Sequence, residues 1–249
     1  IGMMIACWSV DLPKGHAEMI GFETPTPSPG WETRRSEPTW GRDSMIAAAH
    51  PLIVTAGAEI QRQGGNAVDV AVACGLAASV VMPEMCGLGG DLFAVLHDPR
   101  TGKTEAVMGS GISPRAATDE IMLDAGDRAG RKMPNRGPLS IGVPGMVDAY
   151  RTLLERWGTM SFAQVAEPAI DFARNGFALL PLGAMYIANA AEMLRKDPAA
   201  AALFFRDGEP LKTGDRLVQS GLADTLEAIV PTARQVVAAV MTLGAFEAL

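Results

Sequence analysis

The longest apolar stretch of the chain runs from Asn66 to Pro83 and has no polar face. Valine, alanine and leucine occupy all sides of the helix that this spacing predicts, which is typical of a helix buried between other layers. Asn66 is a favourable N-cap residue, Asp69 stands at the third helical position, and Pro83 ends the segment. A shorter helix is predicted over residues 52–63, closed by Gly64 and Gly65.

After the buried helix, apolar and polar residues alternate along the chain. This alternation predicts strands over residues 92–97 and 103–108, and the turn Asp98-Pro99-Arg100-Thr101-Gly102 between them makes an antiparallel hairpin. Helical periodicity then returns. It predicts helices at 145–157, at 162–166, from Pro168 to Asn175-Gly176, at 182–195 and at 220–229. Helices layered on an antiparallel sheet give an α+β class.

Residues 13–44 are rich in proline, glycine and charge, which predicts an extended segment over 1–44 and a single domain over 45–249. Apolar residues make up 48% of the 249, and the formal net charge is −7, which makes nucleic acid and anionic membranes poor partners. Residues 1–12 have no basic start and no clear cleavage site, so we expect no secretion signal there. Three cysteines without an even framework favour a reducing compartment, so we expect a cytoplasmic location, with a periplasmic one as the alternative.

Candidate catalytic side chains are few. None of the three histidines has a ligand at metal-binding spacing, so neither a metal nor a cofactor is expected, and His50-Pro51 is interpreted as a helix entry. Asp69 is interpreted as a capping carboxylate rather than a catalytic group. Glu84 beside Cys86 suggests a cysteine nucleophile, but no histidine is near in sequence, which favours an ordinary loop carboxylate.

Three glycine clusters punctuate the ends of predicted elements: Gly87-Leu88-Gly89-Gly90, Gly109-Ser110-Gly111 and Gly142-Val143-Pro144-Gly145. A nucleotide-binding module would place a strand before its glycines and a helix after them, whereas Gly87 to Gly90 follow a helix and precede a strand. Two alternatives are left: tight turns of a compact fold, or a pocket lined by backbone amides where several turns converge.

An ordered series of segments resembles the large subunit of the γ-glutamyltransferase family. The segments are HPLIVTAGAEIQRQGGNAVDVAVACGLAASVVMPEMCGLGGDLFAVLHDPRTGKTEAV, SIGVPGMVDAYRTLLERWG and AEPAIDFARNGF, and the resemblance spans about His50 to Ile229. It implies part of an N-terminal-nucleophile hydrolase, a four-layer αββα sandwich. In that family a precursor cuts itself, and a threonine at the new N-terminus attacks an amide carbonyl with its own amino group as base.

Two departures from the family pattern qualify what the resemblance implies. The family's nucleophile is a threonine shortly before a histidine, and no threonine here has a histidine two residues on, so we expect no catalytic residue in this chain and a partner in the missing small subunit. The segment PTARQVVAAVMTLGAF also resembles a helix that normally follows a longer connection after Ile229. The chain is therefore expected to be a fragment, or a truncated or internally deleted form, and a non-catalytic scaffold stays open.

The second departure is at Ser110. Family members that act on γ-glutamyl compounds have an arginine there, four residues before the proline matching Pro114, and it binds the substrate carboxylate. The Gly-Ser-Gly form resembles an amidase-like branch that includes oxamate amidohydrolase. The implied substrate-binding residues are Ser110, Gly109, Gly111 and Arg115. The implied substrate is a small amide, with γ-glutamyl transfer or glutathione hydrolysis as the alternative.

Overall fold

The structure is a computed structural model, and it describes residues 41, 44–127, 130, 132–134 and 138–232. The predicted extended segment 1–44 lies outside the described residues except for Gly41 and Ser44, and so do residues 233–249. The helices are α1 (Pro51–Arg62), α2 (Ala67–Val81), α3 (Asp119–Ala125), α4 (Met146–Trp157), α5 (Phe162–Asn175), α6 (Pro181–Asn189), α7 (Ala191–Leu194), α8 (Pro198–Phe204) and α9 (Ser220–Thr232). The strands are β1 (Phe93–Asp98), β2 (Lys103–Met108), β3 (Phe177–Ala178), β4 (Phe205–Arg206), β5 (Glu209–Pro210) and β6 (Arg216–Leu217).

Helix α2 is the centre of the core, as its apolar sequence predicts. Val72, Leu76 and Val80 have no exposed surface, and α1, α4 and α5 pack around the helix. Its N-terminus carries the predicted capping box: the Asn66 side chain accepts hydrogen bonds from the first turn, and the Asp69 side chain accepts one from the Asn66 backbone. The capping box therefore defines where this helix begins, and its apolar residues on all sides account for its burial in the core.

Asp69 also joins α2 to the connection between α4 and α5. Its carboxylate accepts hydrogen bonds from the backbone N–H of Thr159 at 2.9 Å, from the Thr159 hydroxyl at 2.6 Å and from the backbone N–H of Met160 at 3.1 Å. The residue has no exposed surface. Two backbone N–H groups and one hydroxyl thus occupy both carboxylate oxygens. These contacts are consistent with the interpretation of Asp69 as a structural rather than a catalytic carboxylate.

The predicted hairpin is present, with β1 beginning and ending one residue later than expected. The strands pair antiparallel, with Phe93 opposite Met108 and Asp98 opposite Lys103. Leu96 points into the core, whereas Phe93 on the other face of the strand is largely exposed. The C-terminal half of α4 lies along β2, where Arg156 forms an ion pair of 2.7 Å with Glu105.

The prediction of two short helices around Pro168 is wrong, because α5 runs unbroken from Phe162 to Asn175 with Pro168 inside it. A proline removes one backbone donor and typically costs about 3 kcal/mol in a helix interior. Here Val165, Ala169 and Ala173 on the same helix are fully buried against the core. Packing of this face keeps the helix continuous.

The C-terminal part differs from the prediction in smaller ways. The helix expected over 182–195 is divided into α6 and α7 at Ala190, whose ψ is 1°. Helix α9 continues three residues beyond Ile229, through Pro231. Two two-stranded sheets, β3 with β6 and β4 with β5, were not predicted, since strands of two residues leave no periodic signal. Within the described residues, no helix combines the length and apolar character that crossing a membrane requires.

Candidate functional site: a glycine junction at the end of the hairpin

The three glycine clusters meet at one place, which we call the glycine junction: residues 87–90, 109–111 and 142–145. The turn at 87–90 is closed by a hydrogen bond of 2.9 Å from Gly90 N to Gly87 O. A Cβ at Gly90 would lie 3.3 Å from the Cε of Met146, the first residue of α4, so this turn rests against the start of that helix. The turns therefore converge, in contacts as close as those of tight turns in a compact fold, and a pocket lined by their backbone amides stays a prediction.

The other two clusters leave no room for side chains between them. Gly111 has φ +79°, and a Cβ there would lie 1.9 Å from the carbonyl oxygen of Val143. A Cβ at Gly145 would lie 2.8 Å from Gly111 N and 2.9 Å from Gly109 O. The two segments are joined by a hydrogen bond of 2.9 Å from Val143 N to Ile112 O. Close backbone approach and a left-handed conformation both require glycine here.

The hairpin fixes where Ser110 lies. Leu92 and Gly109 exchange both backbone hydrogen bonds, at 3.3 and 2.7 Å, directly beyond the ends of β1 and β2. Ser110 follows Gly109 at once and is half-buried. A Cβ at Gly109 would lie 2.4 Å from the Cβ of Ala149, so helix α4 packs directly under this turn. Strand pairing on one side and α4 on the other therefore hold the Ser110 backbone in place.

The structure does not join Arg115 to this group. Arg115 is exposed, on a turn closed by a 2.9 Å hydrogen bond from Ala117 N to Pro114 O, ahead of α3. Within the described part of the chain no hydrogen bond or ion pair links it to Ser110 or to a carboxylate. Gly109, Ser110 and Gly111 thus form one unit, while Arg115 lies on a separate turn.

Glu84 and Cys86 lie just before the first glycine turn, at the end of α2. Burial raises the pKa of the Glu84 carboxyl above its ordinary value, and one of its oxygens, Oε2, is buried without a hydrogen-bond partner. Cys86 is half-buried and forms no disulfide.

The histidines that the structure describes are engaged elsewhere. His50 accepts a hydrogen bond of 3.1 Å from Leu52 N at the start of α1, and burial lowers its pKa. His97 is bonded to Thr104 within the hairpin, at 2.9 Å. The interpretation of His50-Pro51 as a helix entry agrees with this capping. Both imidazole rings form hydrogen bonds to neighbouring residues, so neither described histidine is placed to act as the general base for a Cys86 nucleophile.

A further feature of the site could not be seen in the sequence: the junction adjoins an exposed apolar surface. The strand residues next to it, Phe93 and Met108, form a cross-strand pair and are 68% and 76% exposed. Alternation in the sequence showed that the hairpin has two faces, but not which face packs on the helices.

Comparison with solved structures defines the class of protein. The chain superposes on the gamma-glutamyltranspeptidase of Helicobacter pylori with a TM-score of 0.71 at 33% identity, covering 78% of this chain and 56% of that one. It superposes on a cephalosporin acylase from Bacillus halodurans with a TM-score of 0.68 at 29% identity, covering 80% of this chain and 39% of that one. The fold is therefore part of an α+β N-terminal-nucleophile hydrolase, as predicted.

Residues 54–237 match the profile of the gamma-glutamyltranspeptidase family, and the chain belongs to that family. It is 37% identical over 191 residues to a glutathione hydrolase proenzyme of Bacillus subtilis (strain 168), covering 76% of this chain and 32% of the relative. It is 36% identical over 213 residues to an acylase ACY 1 proenzyme of Pseudomonas sp. (strain SE83), covering 82% of this chain and 38% of the relative. The chain thus spans about a third of the length of these relatives, and what it matches is the large-subunit portion.

Proposed function

We propose that this chain is the large-subunit part of a self-processing hydrolase that cleaves a small amide. The relatives' names include both glutathione hydrolases and acylases, so the family alone leaves the acyl group open. The observation that carries the choice is Ser110, held at the glycine junction where the sequence pattern of γ-glutamyl enzymes has an arginine. A hydroxyl offers one neutral hydrogen bond, whereas a guanidinium binds a carboxylate through two charge-assisted ones.

The reaction needs a nucleophile from outside this chain, since no threonine here has a histidine two residues on. A threonine at the N-terminus of the second part would attack the amide carbonyl, and its own α-amino group would accept the hydroxyl proton. The C–N bond breaks, the amine or ammonia leaves with that proton, and water hydrolyses the acyl-threonine ester. Gly109, Ser110 and Gly111 would form one wall around the acyl group, with Ser110 orienting its far end.

The expected preference for small amides over γ-glutamyl donors can be estimated from the positive charge that is absent when Ser110 stands in place of the arginine. A hydrogen bond to a charged group contributes about 1.5–3 kcal/mol, which corresponds to roughly a ten- to a hundredfold change in affinity. A γ-glutamyl donor would lose that much at Ser110. A small amide such as oxamate would not, because its carboxylate is bonded directly to the reacting carbonyl and does not extend to the position of the γ-glutamyl α-carboxylate. If Arg115 supplied the missing charge, the alternative of γ-glutamyl transfer or glutathione hydrolysis would hold instead.

The test uses the full-length protein, obtained by extending this chain through its downstream coding sequence. Catalytic efficiency would be measured on oxamate and on γ-glutamyl-p-nitroanilide for the parent enzyme, for Ser110→Arg and, as an uncharged control of similar reach, for Ser110→Gln. We expect turnover of oxamate by the parent and a gain of about tenfold or more on the γ-glutamyl substrate for Ser110→Arg alone.

Three results would contradict the proposal. Efficient γ-glutamyl turnover by the parent with none of oxamate would favour the transferase alternative, and its loss in Arg115→Ala would identify the cation. A downstream sequence without a threonine followed two residues later by a histidine would favour the non-catalytic scaffold. Hydrolysis by the 249-residue chain alone would show that the nucleophile is present in it after all.

A further inference from the structure

Asp91 brings a carboxylate to the end of the hairpin, directly after the first glycine turn. The residue is exposed, and within the part of the chain that the structure describes it takes part in no hydrogen bond or ion pair. The glycine junction itself contains no charged side chain, since its residues are glycine, leucine, serine, valine and proline. Asp91 is therefore the charged residue closest in sequence to the junction, and no described residue neutralises it.

The hairpin register places Asp91 opposite Ser110. Leu92 and Gly109 exchange both backbone hydrogen bonds, and Asp91 and Ser110 are the next residues outward on the two segments. Leu92 is buried, and a Cβ at Gly109 would lie 2.4 Å from the Cβ of Ala149, so this pair faces the core. Because side chains alternate between the two faces, Asp91 and Ser110 lie on the opposite face, where directly opposed Cβ atoms are about 4.5–5.5 Å apart.

The glycine turn that leads into Asp91 leaves space at this end of the hairpin. Among the described residues, a Cβ at Gly87 would meet no atom within 4 Å, and one at Gly89 would meet only the Pro144 ring, at 3.9 Å. The groups that border this space are hydrogen-bond acceptors, because an ionised carboxylate only accepts and a hydroxyl can accept as well as donate. An ammonium group, which only donates, is the complementary ligand for the Asp91–Ser110 pair.

Asp91 also reverses the charge that the family pattern predicts for this wall. γ-Glutamyl enzymes have an arginine at the position of Ser110, which makes the wall positive and suited to a carboxylate. Here a neutral hydroxyl lies beside a carboxylate, so the wall is negative. A substrate carboxylate at Ser110 would face a like charge, which strongly disfavours binding. The absence of the arginine explains a weaker preference for anions, whereas Asp91 predicts that anions are rejected.

Resting on the proposed function, we propose that Asp91 is a specificity-determining residue, which with Ser110 selects acyl groups that carry an ammonium at the end remote from the scissile amide. The substrate class is then an ω-amino acyl amide. Oxamate is compatible with this wall because its carboxylate does not extend to Ser110. A longer acyl group that ends in a carboxylate is excluded, because its charge would reach Asp91.

The test compares three p-nitroanilides that share one leaving group and differ in the end of the acyl chain: 4-aminobutyryl (cationic), pentanoyl (neutral) and glutaryl (anionic). Catalytic efficiency would be measured on the mature full-length protein. We expect the parent to prefer the cationic over the anionic substrate by about a hundredfold, and Asp91→Asn to reduce this ratio by at least about tenfold. Asp91→Glu keeps the charge and should keep the preference for the cation. Asp207→Asn removes an exposed carboxylate from the β4–β5 turn and, as the matched control, should leave the ratio unchanged.

A cation-to-anion ratio that is the same in the parent and in Asp91→Asn would overturn the proposal, and so would a parent that prefers the glutaryl substrate. Failure of the proposed function gives a different result, namely no hydrolysis of oxamate or of any of the anilides. Calorimetric titration of the same full-length proteins with n-butylammonium and with butyrate then decides the role of Asp91. Binding of n-butylammonium that weakens at least about tenfold in Asp91→Asn would support the cation site, and equal binding of it by both proteins would refute the site.

Discussion

Asp69 offers the sharpest test of how this fold is held together. Its buried carboxylate accepts hydrogen bonds from Asn66 N at 2.8 Å, from Thr159 N at 2.9 Å, from the Thr159 hydroxyl at 2.6 Å and from Met160 N at 3.1 Å. Asp69→Ala would remove the acceptor for all four donors and leave a space that the surrounding backbone cannot fill.

The expected cost follows from those four donors. A buried donor left without a partner costs about 1–3 kcal/mol, and the losses do not add fully because they share one site. We therefore expect Asp69→Ala to lower the free energy of unfolding by about 4–6 kcal/mol, which is a large fraction of the roughly 5–15 kcal/mol that a domain has. Asp69→Asn keeps one acceptor oxygen and should cost about half as much, and Thr159→Val, which removes one hydroxyl, about 1–2 kcal/mol.

Urea unfolding followed by circular dichroism, on the 249-residue chain, measures these differences. Asp224→Ala is the control, because its carboxylate is 68% exposed in an ion pair with Arg174, and exposed pairs contribute at most about 1 kcal/mol. A loss below about 1 kcal/mol for Asp69→Ala, equal to that of the control, would refute the view that this carboxylate joins α2 to the α4–α5 connection.

Three further substitutions test other contacts by the same unfolding assay. Gly75→Ala would place a methyl group 2.3 Å from the Tyr150 hydroxyl and should cost about 1–3 kcal/mol; a stabilised variant would show that α2 and α4 lie further apart. Gly111→Ala combines a positive φ with a Cβ 1.9 Å from the Val143 carbonyl and should cost at least about 2 kcal/mol, so an unchanged midpoint would argue against the glycine junction. Burial raises the pKa of Glu84, so the folded state holds this proton more tightly than the unfolded one, and its contribution to stability falls as pH rises above the ordinary carboxyl range. Glu84→Gln should therefore gain stability relative to the parent between pH 4 and 7, and a constant difference would count against a buried carboxyl.

The main helices could be predicted because local and global signals agree in them. The Asn66–Asp69 capping box and the all-apolar composition of α2 each point to the same buried helix, and the turn chemistry at Asp98–Gly102 specifies the hairpin. Pro168 is the opposite case. A proline in this position locally favours a break in the helix. The burial of α5 against the core outweighs that preference, and this burial depends on residues far away in the sequence, so the segment around Pro168 does not reveal it.

The candidate site was partly predictable for a related reason. The family resemblance, through the spacing to Pro114, pointed to Ser110, whose part in substrate binding stays a prediction, and the glycine clusters indicated converging turns. The reasons for particular glycines lie in residues far along the chain, since Gly111 faces the Val143 carbonyl and Gly75 faces Tyr150. Arg115 was grouped with Ser110 because the two are close in sequence, whereas the structure places it on a separate exposed turn; its part in substrate binding stays a prediction.

The two ends of α2 have a consequence for how the chain is made. At one end Asp69 binds Thr159, and at the other the carbonyl oxygen of Val80 accepts a hydrogen bond of 2.7 Å from the Gln219 side chain. These partners follow α2 by 90 and 139 residues. At a synthesis rate of about 5–20 residues per second, the most apolar helix of the protein waits for roughly 7–28 s before the residue that closes its far end has been added. Throughout that interval the nascent chain exposes an aggregation-prone apolar segment, so we expect its yield to respond to chaperones and to growth temperature as well as to the stability of the finished fold.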